Sequence, residues 1–286
     1  RVCAITAAMT RGTGLEHFQA ACPDRFFDVG IAEGCAVSMA AGMAKQGAVP
    51  VFAVYSTFLQ RSYDMLLHDV AIEGLHVVLG VDRAGLVGED GETHHGVFDV
   101  AYLDSIPGMT VLAPSSYAEL ERMLKQAVLE RKGPVAVRYP RGGEGSYTGD
   151  AGDSPAAVLR KGTDITLAGY GVEINEILLA AELLEQQGVQ AEVVKLNLLT
   201  PLDPELVVRS VRHTGAMLVA EDCVERGGVG QRLAAALERA GVCARVCLVN
   251  CGEAFVPHGA LSLLKQKLEL DGAGIARRAL EVLGRG

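Results

Sequence analysis

The chain has 286 residues, of which 49% are hydrophobic, and a formal net charge of −9 at pH 7. At about 150 residues per domain, this length predicts two globular domains, and the hydrophobic content excludes a disordered chain. No apolar run reaches the roughly 18 residues of a membrane span, and no basic stripe is present, so we expect neither a membrane protein nor a nucleic-acid-binding protein.

The first half of the chain contains four short apolar runs that predict strands, at residues 50–55, 77–81, 110–113 and 135–138. Between the last two runs lies a predicted helix. Ser116 is its expected N-cap, Glu119 completes a capping box, and Gly133-Pro134 is expected to end it. Buried strands alternating with helices are typical of a parallel sheet covered on both faces.

A stretch rich in Gly, Ser and Asp begins at residue 142 and predicts a linker. A second α/β unit follows, with strands at residues 165–168, 191–196, 217–220 and 245–249 and a helix from about 173 to 187. We therefore predict an α/β protein of two three-layer α/β/α domains with mostly parallel sheets. The expected domains span residues 1–145 and 163–286, with a linker at 146–162.

The chain has seven cysteines, an odd number whose spacing matches no disulfide framework. This predicts reduced cysteines and hence a cytoplasmic location. Cys243, Cys247 and Cys251 are four residues apart. On a buried strand such residues lie about 13 Å apart, which is too far to share one metal ion. We therefore interpret these three as small apolar residues of the core.

Glu33 is the first candidate functional residue, because it stands at the start of a predicted helix of small residues. Close packing of that helix would bury the carboxyl group, and a buried carboxyl group can hold or donate a proton near neutrality. The alternative is an acid favoured there only by the helix dipole.

Three further polar segments follow predicted strands, where open α/β sheets bind their ligands. Residues 55–61 offer aromatic, hydroxyl and arginine side chains, although Phe58 could be core and Arg61 a surface charge. Residues 82–96 combine Arg, Asp and two His with four glycines. They could also form a polar surface loop, or a metal site through Asp90, His94 and His95. Arg141 could reach the same rim or be an ordinary surface charge.

Two glycine-containing segments in the second half are given structural interpretations. Gly227-Gly228-Val229-Gly230 precedes a predicted helix, where it could bind an anion. Without a nucleotide fingerprint we interpret it as turn and packing geometry. Residues 255–259 are predicted to form a structured loop.

Taken together, residues 27–37, 55–61, 68–71, 82–102 and 138–142 resemble, in order, the motifs of the 1-deoxy-D-xylulose-5-phosphate synthase family. This is a thiamine diphosphate family of the transketolase superfamily. The resemblance implies a pyrimidine-binding domain followed by a transketolase C-terminal domain. The family's first domain, which carries the ligands of Mg²⁺ and diphosphate, is expected outside this chain.

The resemblance also implies roles for the cofactor-facing residues. Glu33 would hydrogen-bond N1′ of the aminopyrimidine and favour the tautomer that removes the thiazolium proton. Phe58 would stack on the pyrimidine ring, and Tyr55 and Ile31 would complete the cofactor contacts. One departure is that relatives carry a His two positions after this Glu, where Cys35 stands here.

At the substrate end, the resemblance assigns the phosphate of glyceraldehyde 3-phosphate to Arg83, Arg141 and Arg61, which suits bidentate pairing. Asp90 and His94 would transfer protons and contact hydroxyl groups. The implied reaction condenses pyruvate with glyceraldehyde 3-phosphate, with loss of carbon dioxide, to 1-deoxy-D-xylulose 5-phosphate, an isoprenoid precursor. We expect a homodimer that is inactive without the first domain.

Two other functions are considered. The β subunit of a 2-oxo acid dehydrogenase pairs the same two domains, but a lipoyl acceptor does not need the arginines at 83 and 141. A non-catalytic relative would not need to combine Glu33, Phe58, Asp90 and His94.

Overall fold

The computed structural model describes residues 1–285, which form two sheets with covering helices. The strands are β1 (Val2–Thr6), β2 (Phe26–Asp28), β3 (Val49–Tyr55), β4 (Val78–Asp82), β5 (Thr110–Leu112), β6 (Val135–Arg138), β7 (Ala156–Arg160), β8 (Ile165–Tyr170), β9 (Ala191–Leu196), β10 (Leu198–Thr200), β11 (Ala216–Ala220) and β12 (Arg245–Val249).

The α-helices are α1 (Glu16–Ala21), α2 (Glu33–Lys45), α3 (Ser56–Leu59), α4 (Tyr63–Met65), α5 (Asp99–Asp104), α6 (Tyr117–Leu129), α7 (Glu173–Glu185), α8 (Glu205–Thr214), α9 (Val229–Arg239), α10 (Leu261–Lys267) and α11 (Gly272–Leu283). Short 3₁₀ segments occupy Pro23–Arg25, Gln60–Ser62 and Gly88–Asp90, and Leu66–Ala71 is a π-helix. None of the helices within residues 1–285 has the length and apolarity needed to cross a membrane.

The first sheet has the order β10-β5-β6-β4-β3-β1-β2 and the second β12-β11-β8-β9-β7. All pairs are parallel except β10 with β5 and β7 with β9. The predicted two-domain α/β class with mostly parallel sheets is therefore confirmed. The predicted strands and the helix α7 occur within about two residues of their expected ends.

Three local predictions need correction. The segment 146–162 is not all linker, because β7 lies in it and pairs with β9 in the second sheet. The helix α6 ends at Leu129, four residues before Gly133. The strand β12 is an edge strand with an exposed start, so Cys247 and Cys251 are buried but Cys243 is exposed.

The parallel pairing places the candidate segments at one sheet edge. Tyr55 at the end of β3 pairs with Asp82 at the end of β4, and Val81 pairs with Arg138 at the end of β6. The chain leaves all three strands at their carboxyl ends, which is where open parallel sheets bind ligands. The polar segments predicted from the sequence therefore follow neighbouring strands.

Candidate active site

Glu33 opens the helix α2 and is 4% exposed, which confirms its predicted burial. The buried face of α2 consists of the small residues Ala36, Val37, Ala40 and Ala41, so the helix lies close to its neighbours. Arg61 Nη1 donates a hydrogen bond to Glu33 Oε1 over 2.6 Å. Oε2 has no hydrogen-bond partner within residues 1–285 and can accept a further donor.

Beside this acid lies an aromatic cluster formed by Tyr55, Phe58 and His94. The Tyr55 and Phe58 rings stack with centroids 5.7 Å apart, and the His94 ring meets Phe58 edge-on at 5.4 Å. The Arg61 guanidinium carbon lies 4.8 Å from the Phe58 centroid. Arg61 thus contacts both the carboxylate and the aromatic ring, which joins the acid to the cluster.

Arg83 lies on the other member of the stacked pair. Its guanidinium carbon is 3.7 Å from the Tyr55 centroid, and Nη1 donates to the Gly12 carbonyl at 2.9 Å. The same nitrogen lies 3.2 Å from the Asp82 carboxylate. Arg83 has a φ of +57°, a strained left-handed conformation for a non-glycine residue. Its side chain is therefore fixed by a cation–π contact, a carbonyl and a carboxylate.

Burial raises the pKa of the Tyr55 hydroxyl above its ordinary value, although the charge of Arg83 opposes this shift. The charges of Asp90 and Arg141 also act on this hydroxyl. Tyr55 therefore stays protonated near neutral pH and can donate a hydrogen bond. Burial likewise raises the pKa of Asp82, again against the opposing charge of Arg83.

Asp90 and Arg141 form an ion pair at the rim, one of the two positions considered for Arg141. Arg141 Nη1 lies 2.9 Å from Asp90 Oδ2 and donates to the Val87 carbonyl at 3.3 Å. Both side chains are one third to one half exposed. The ion pair is therefore open to solvent and to an incoming ligand.

Two predicted residues take other positions. Ile31 is 82% exposed and lies outside the buried cluster. Arg61 contacts Glu33 and Phe58, so these contacts place it at the acid rather than beside the Asp90–Arg141 pair. The assigned roles of both residues stay predictions.

The side chains of Asp90, His94 and His95 are not arranged to bind a metal ion together. Asp90 pairs with Arg141, His94 Nδ1 lies 2.9 Å from Thr93 Oγ1, and His95 is buried against backbone groups. Within residues 1–285, no three His, Cys, Asp or Glu side chains are grouped so that they could hold a metal ion.

Two residues at this site, Asp82 and Gly12, carry no individual prediction from the sequence. Asp82 belongs to the predicted segment 82–96, where its carboxylate lies 3.2 Å from the neighbouring Arg83. Gly12 stands in no motif at all, yet a Cβ atom there would lie 1.8 Å from the Tyr55 hydroxyl. Only the fold brings Gly12 to Tyr55, so no local signal could have identified it.

The glycine segment before α9 has the packing role expected for it. The amides of Val229 and Gly230 donate to the Glu221 carboxylate at 2.8 and 2.9 Å. A Cβ atom at Gly228 would lie 2.6 Å from the same carboxylate. This helix start is therefore satisfied by the protein's own acid.

Comparison with protein families gives two matches. The model of the transketolase pyrimidine binding domain matches residues 1–143, and that of the transketolase C-terminal domain matches residues 154–275. The two matches follow each other in the order of the two sheets.

The curated relatives include proteins named 1-deoxy-D-xylulose-5-phosphate synthase. Those of Heliobacterium modesticaldum, Gloeobacter violaceus and Thermomicrobium roseum are 44%, 45% and 45% identical, each over 99% of this chain. The chain covers 44%, 45% and 46% of these proteins, so it spans less than half of their length.

Two solved structures share the fold. A split-gene transketolase, described as an inactive β4 tetramer, superposes with a TM-score of 0.87 at 28% identity, covering 99% of this chain and 92% of that one. A transketolase mutant from Pichia stipitis gives 0.79 at 18% identity, covering 99% and 43% of the two chains.

Proposed function

Because this chain belongs to the transketolase family, carrying its pyrimidine-binding and C-terminal domains, we propose that it is part of a 1-deoxy-D-xylulose-5-phosphate synthase. The substrates would be pyruvate and glyceraldehyde 3-phosphate, and the cofactor thiamine diphosphate. The proposal takes its substrate class from the names of relatives that match 99% of the chain. Its chemistry depends on the residues described above.

The observation that carries the proposal is the buried carboxylate of Glu33 beside Phe58. Oε2 of Glu33 is free to accept a hydrogen bond from a protonated ring nitrogen. Phe58 provides an aromatic surface close by, because the Arg61 guanidinium group contacts both Glu33 and the Phe58 ring. These groups fit an aminopyrimidine, which has a planar ring and polar nitrogen atoms at its edge. Glu33, Phe58 and Tyr55 would hold that ring, and Ile31 would cover its exposed side.

When bound, thiamine diphosphate supplies the carbon nucleophile that makes the decarboxylation of pyruvate possible. The part of Glu33 would be to fix a proton at the ring nitrogen opposite Oε2, in a site where burial excludes competing water. A fixed hydrogen bond of this kind selects one tautomer of its partner, as carboxylates do for histidine.

The substrate end would be formed by Arg83, Arg141, Asp90 and His94. Arg141 is half exposed and offers a planar guanidinium fork that suits a phosphate group. Arg83 would contribute positive charge from beneath, and Asp90 and His94 would contact hydroxyl groups and transfer protons. Arg61, also predicted for phosphate, has one guanidinium nitrogen bonded to Glu33 and a half-exposed side chain.

The remaining parts of the enzyme would come from elsewhere. The carboxylate and amide oxygens that bind Mg²⁺, and through it the diphosphate, would lie on a further domain, as in a longer protein or a separate subunit. We propose a homodimer in the cytoplasm, with no membrane or nucleic-acid partner.

Carbon dioxide release from pyruvate tests this proposal. The chain is assayed with thiamine diphosphate and Mg²⁺, alone and fused to the N-terminal part of the Heliobacterium modesticaldum relative, each with and without glyceraldehyde 3-phosphate. We expect release only from the fusion, and we expect the aldose phosphate to increase it.

Each other outcome argues against the synthase. A rate of carbon dioxide release that does not change with glyceraldehyde 3-phosphate would favour a 2-oxo acid dehydrogenase β subunit, because that enzyme passes its product to a different acceptor. An inactive fusion that binds thiamine diphosphate with normal affinity would favour a non-catalytic relative.

A further inference from the structure

Residues 85–96 form a closed loop, here named the rim loop, that carries both Asp90 and His94. The loop is tied at its base by two backbone hydrogen bonds, from Gly85 N to Gly96 O at 2.8 Å and from Gly96 N to Gly85 O at 2.7 Å. Its two ends are buried, whereas residues 89–90 and 92–93 at the tip are exposed. The position of the tip therefore depends on contacts made by the buried part.

His95 is the buried side chain that connects this loop to the C-terminal domain. It is 3% exposed. Its Nδ1 accepts from the Val87 amide at 3.1 Å, and its Nε2 lies 3.2 Å from the Pro257 carbonyl. Because an amide only donates and a carbonyl only accepts, these partners require the neutral ring with its proton on Nε2.

Val87 connects His95 to the rim. Its amide donates to His95, and its carbonyl accepts from Arg141, which in turn pairs with Asp90. A shift of Val87 would therefore move the carbonyl that orients Arg141. Within residues 1–285, the His95 side chain makes no hydrogen bond to the aromatic cluster or to the Asp90 carboxylate, so it would act through Val87.

The rim loop packs against a segment of the C-terminal domain. The Gly259 amide donates to the Gly88 carbonyl at 3.4 Å. A Cβ atom at Gly91 would lie 3.1 Å from His258 Cβ, so the two segments touch. Residues 257–259 thus form a surface on which the rim loop rests.

We propose that His95 is a positioning residue that fastens the rim loop to the C-terminal domain and so holds Arg141, Asp90 and His94 in place for the phosphorylated acceptor. The role toward a phosphorylated acceptor rests on the proposed function, whereas the fastening of the rim loop does not. An amide side chain also presents one acceptor and one donor, so glutamine can replace histidine here, whereas alanine cannot.

Hydrogen exchange followed by mass spectrometry tests the fastening on the chain as it stands. In His95→Ala, the Val87 amide and the Pro257 carbonyl lose their partners. We expect amide exchange across residues 85–96 to become about ten- to a hundredfold faster, in line with the cost of buried unpaired groups. His95→Gln should return exchange to within about threefold of the wild-type rate.

His76→Ala is the matched control. His76 Nε2 also bonds a backbone carbonyl, that of Ala127 at 2.7 Å, but it precedes β4 at the end of the sheet opposite the rim loop. The His76→Ala substitution should leave the amide exchange rates of residues 85–96 unchanged. In every variant, exchange in β8 should match the wild type, which shows that the fold is intact.

Steady-state kinetics on the fusion protein test the positioning. We expect His95→Ala to lower kcat/KM for glyceraldehyde 3-phosphate about tenfold, which corresponds to one lost hydrogen bond. The thiamine diphosphate concentration for half-maximal activity should stay the same, and His95→Gln should recover the rate.

Wild-type exchange in His95→Ala would overturn the proposal, as would a glutamine variant that exchanges like the alanine variant. An unaltered kcat/KM in His95→Ala would overturn the positioning role. A wild-type fusion that releases no carbon dioxide would contradict the proposed function, while the exchange result would still decide the fastening.

Discussion

At the scale of single residues, the candidate site depends on how each polar atom is already used. Glu33 has one oxygen bound by Arg61 and one without a partner in the described chain, and Arg83 is held by three different groups. Atoms with fixed partners set the shape of the site, and atoms without partners are available to a ligand. This distinction makes Glu33 the most direct residue to test.

We expect Glu33→Gln in the fusion protein to lower carbon dioxide release at least about a hundredfold, because an acid or base group contributes of this order to proton transfer. The fold should persist, because glutamine keeps the shape of the side chain and an amide oxygen that can accept the hydrogen bond from Arg61 Nη1. Turnover is measured under saturating thiamine diphosphate, and folding by circular dichroism.

Glu73→Gln is the control for this prediction. Glu73 also pairs with a basic side chain, Lys45 at 2.8 Å, but on the surface. It should keep full activity. Near-normal turnover in Glu33→Gln would remove Glu33 from the assigned role.

At the scale of elements, the start of α6 shows how one cap serves two purposes. Ser116 Oγ accepts from the Glu119 amide at 3.1 Å and donates to the Gly149 carbonyl at 2.6 Å. The Glu119 carboxylate accepts from the amides of Ser115 and Ala151 and lies 2.9 Å from Lys195 Nζ. The predicted N-cap is therefore confirmed, but the acid bonds the amide before the cap and the segment between the domains.

Ser116→Ala should lower the free energy of unfolding by about 1–2 kcal/mol, because the helix loses its side-chain cap. Urea denaturation measures this value. Ser116→Thr keeps the hydroxyl group and should lose less than half as much.

Ser154→Ala is the control. Ser154 is exposed and lies in the segment between the domains, as do Gly149 and Ala151, and its substitution should change the free energy of unfolding by less than about 0.5 kcal/mol. Equal losses in Ser116→Ala and Ser116→Thr would show that the cap does not stabilise this helix.

At the scale of the whole molecule, the two domains are joined by buried contacts. The strand β10 follows β9 of the second sheet but pairs with β5 of the first. The buried Arg138 bonds Asp99 of the first domain and Asp222 of the second. One apolar cluster contains buried residues of both sheets. We therefore expect the two domains to unfold together.

A buried acid near the domain boundary makes this stability depend on pH. Glu173 is fully buried with its Oε1 atom 2.9 Å from Lys265 Nζ. Burial raises its pKa from 4.5 to about 7, against the opposing charge of Lys265. The folded state then binds the proton more tightly than the unfolded state. The resulting stabilisation is fully present below pH 4.5 and is lost as the pH rises through 7.

Glu173→Gln should remove this dependence. Relative to the variant, the wild type should lose up to about 3 kcal/mol of stability between pH 4.5 and 8. Urea denaturation at several pH values in this range gives the difference directly. Glu182→Gln, an exposed position on the same helix, should run parallel to the wild type. A Glu173→Gln curve that also runs parallel would contradict the assigned pKa.

The sequence alone determined the α/β class, eight of the twelve strands, the helices α6 and α7, and the set of polar segments at one sheet edge. These follow from local periodicity and from the rule that parallel strands end on the same side. Only the tertiary structure decided which partners these residues meet. Arg61 reaches Glu33 across 28 residues, and His95 reaches Pro257 across 162. The fold also brings Gly12 to Tyr55 and places β10 in the other domain's sheet. Such contacts depend on the packing of distant elements, which no local pattern records.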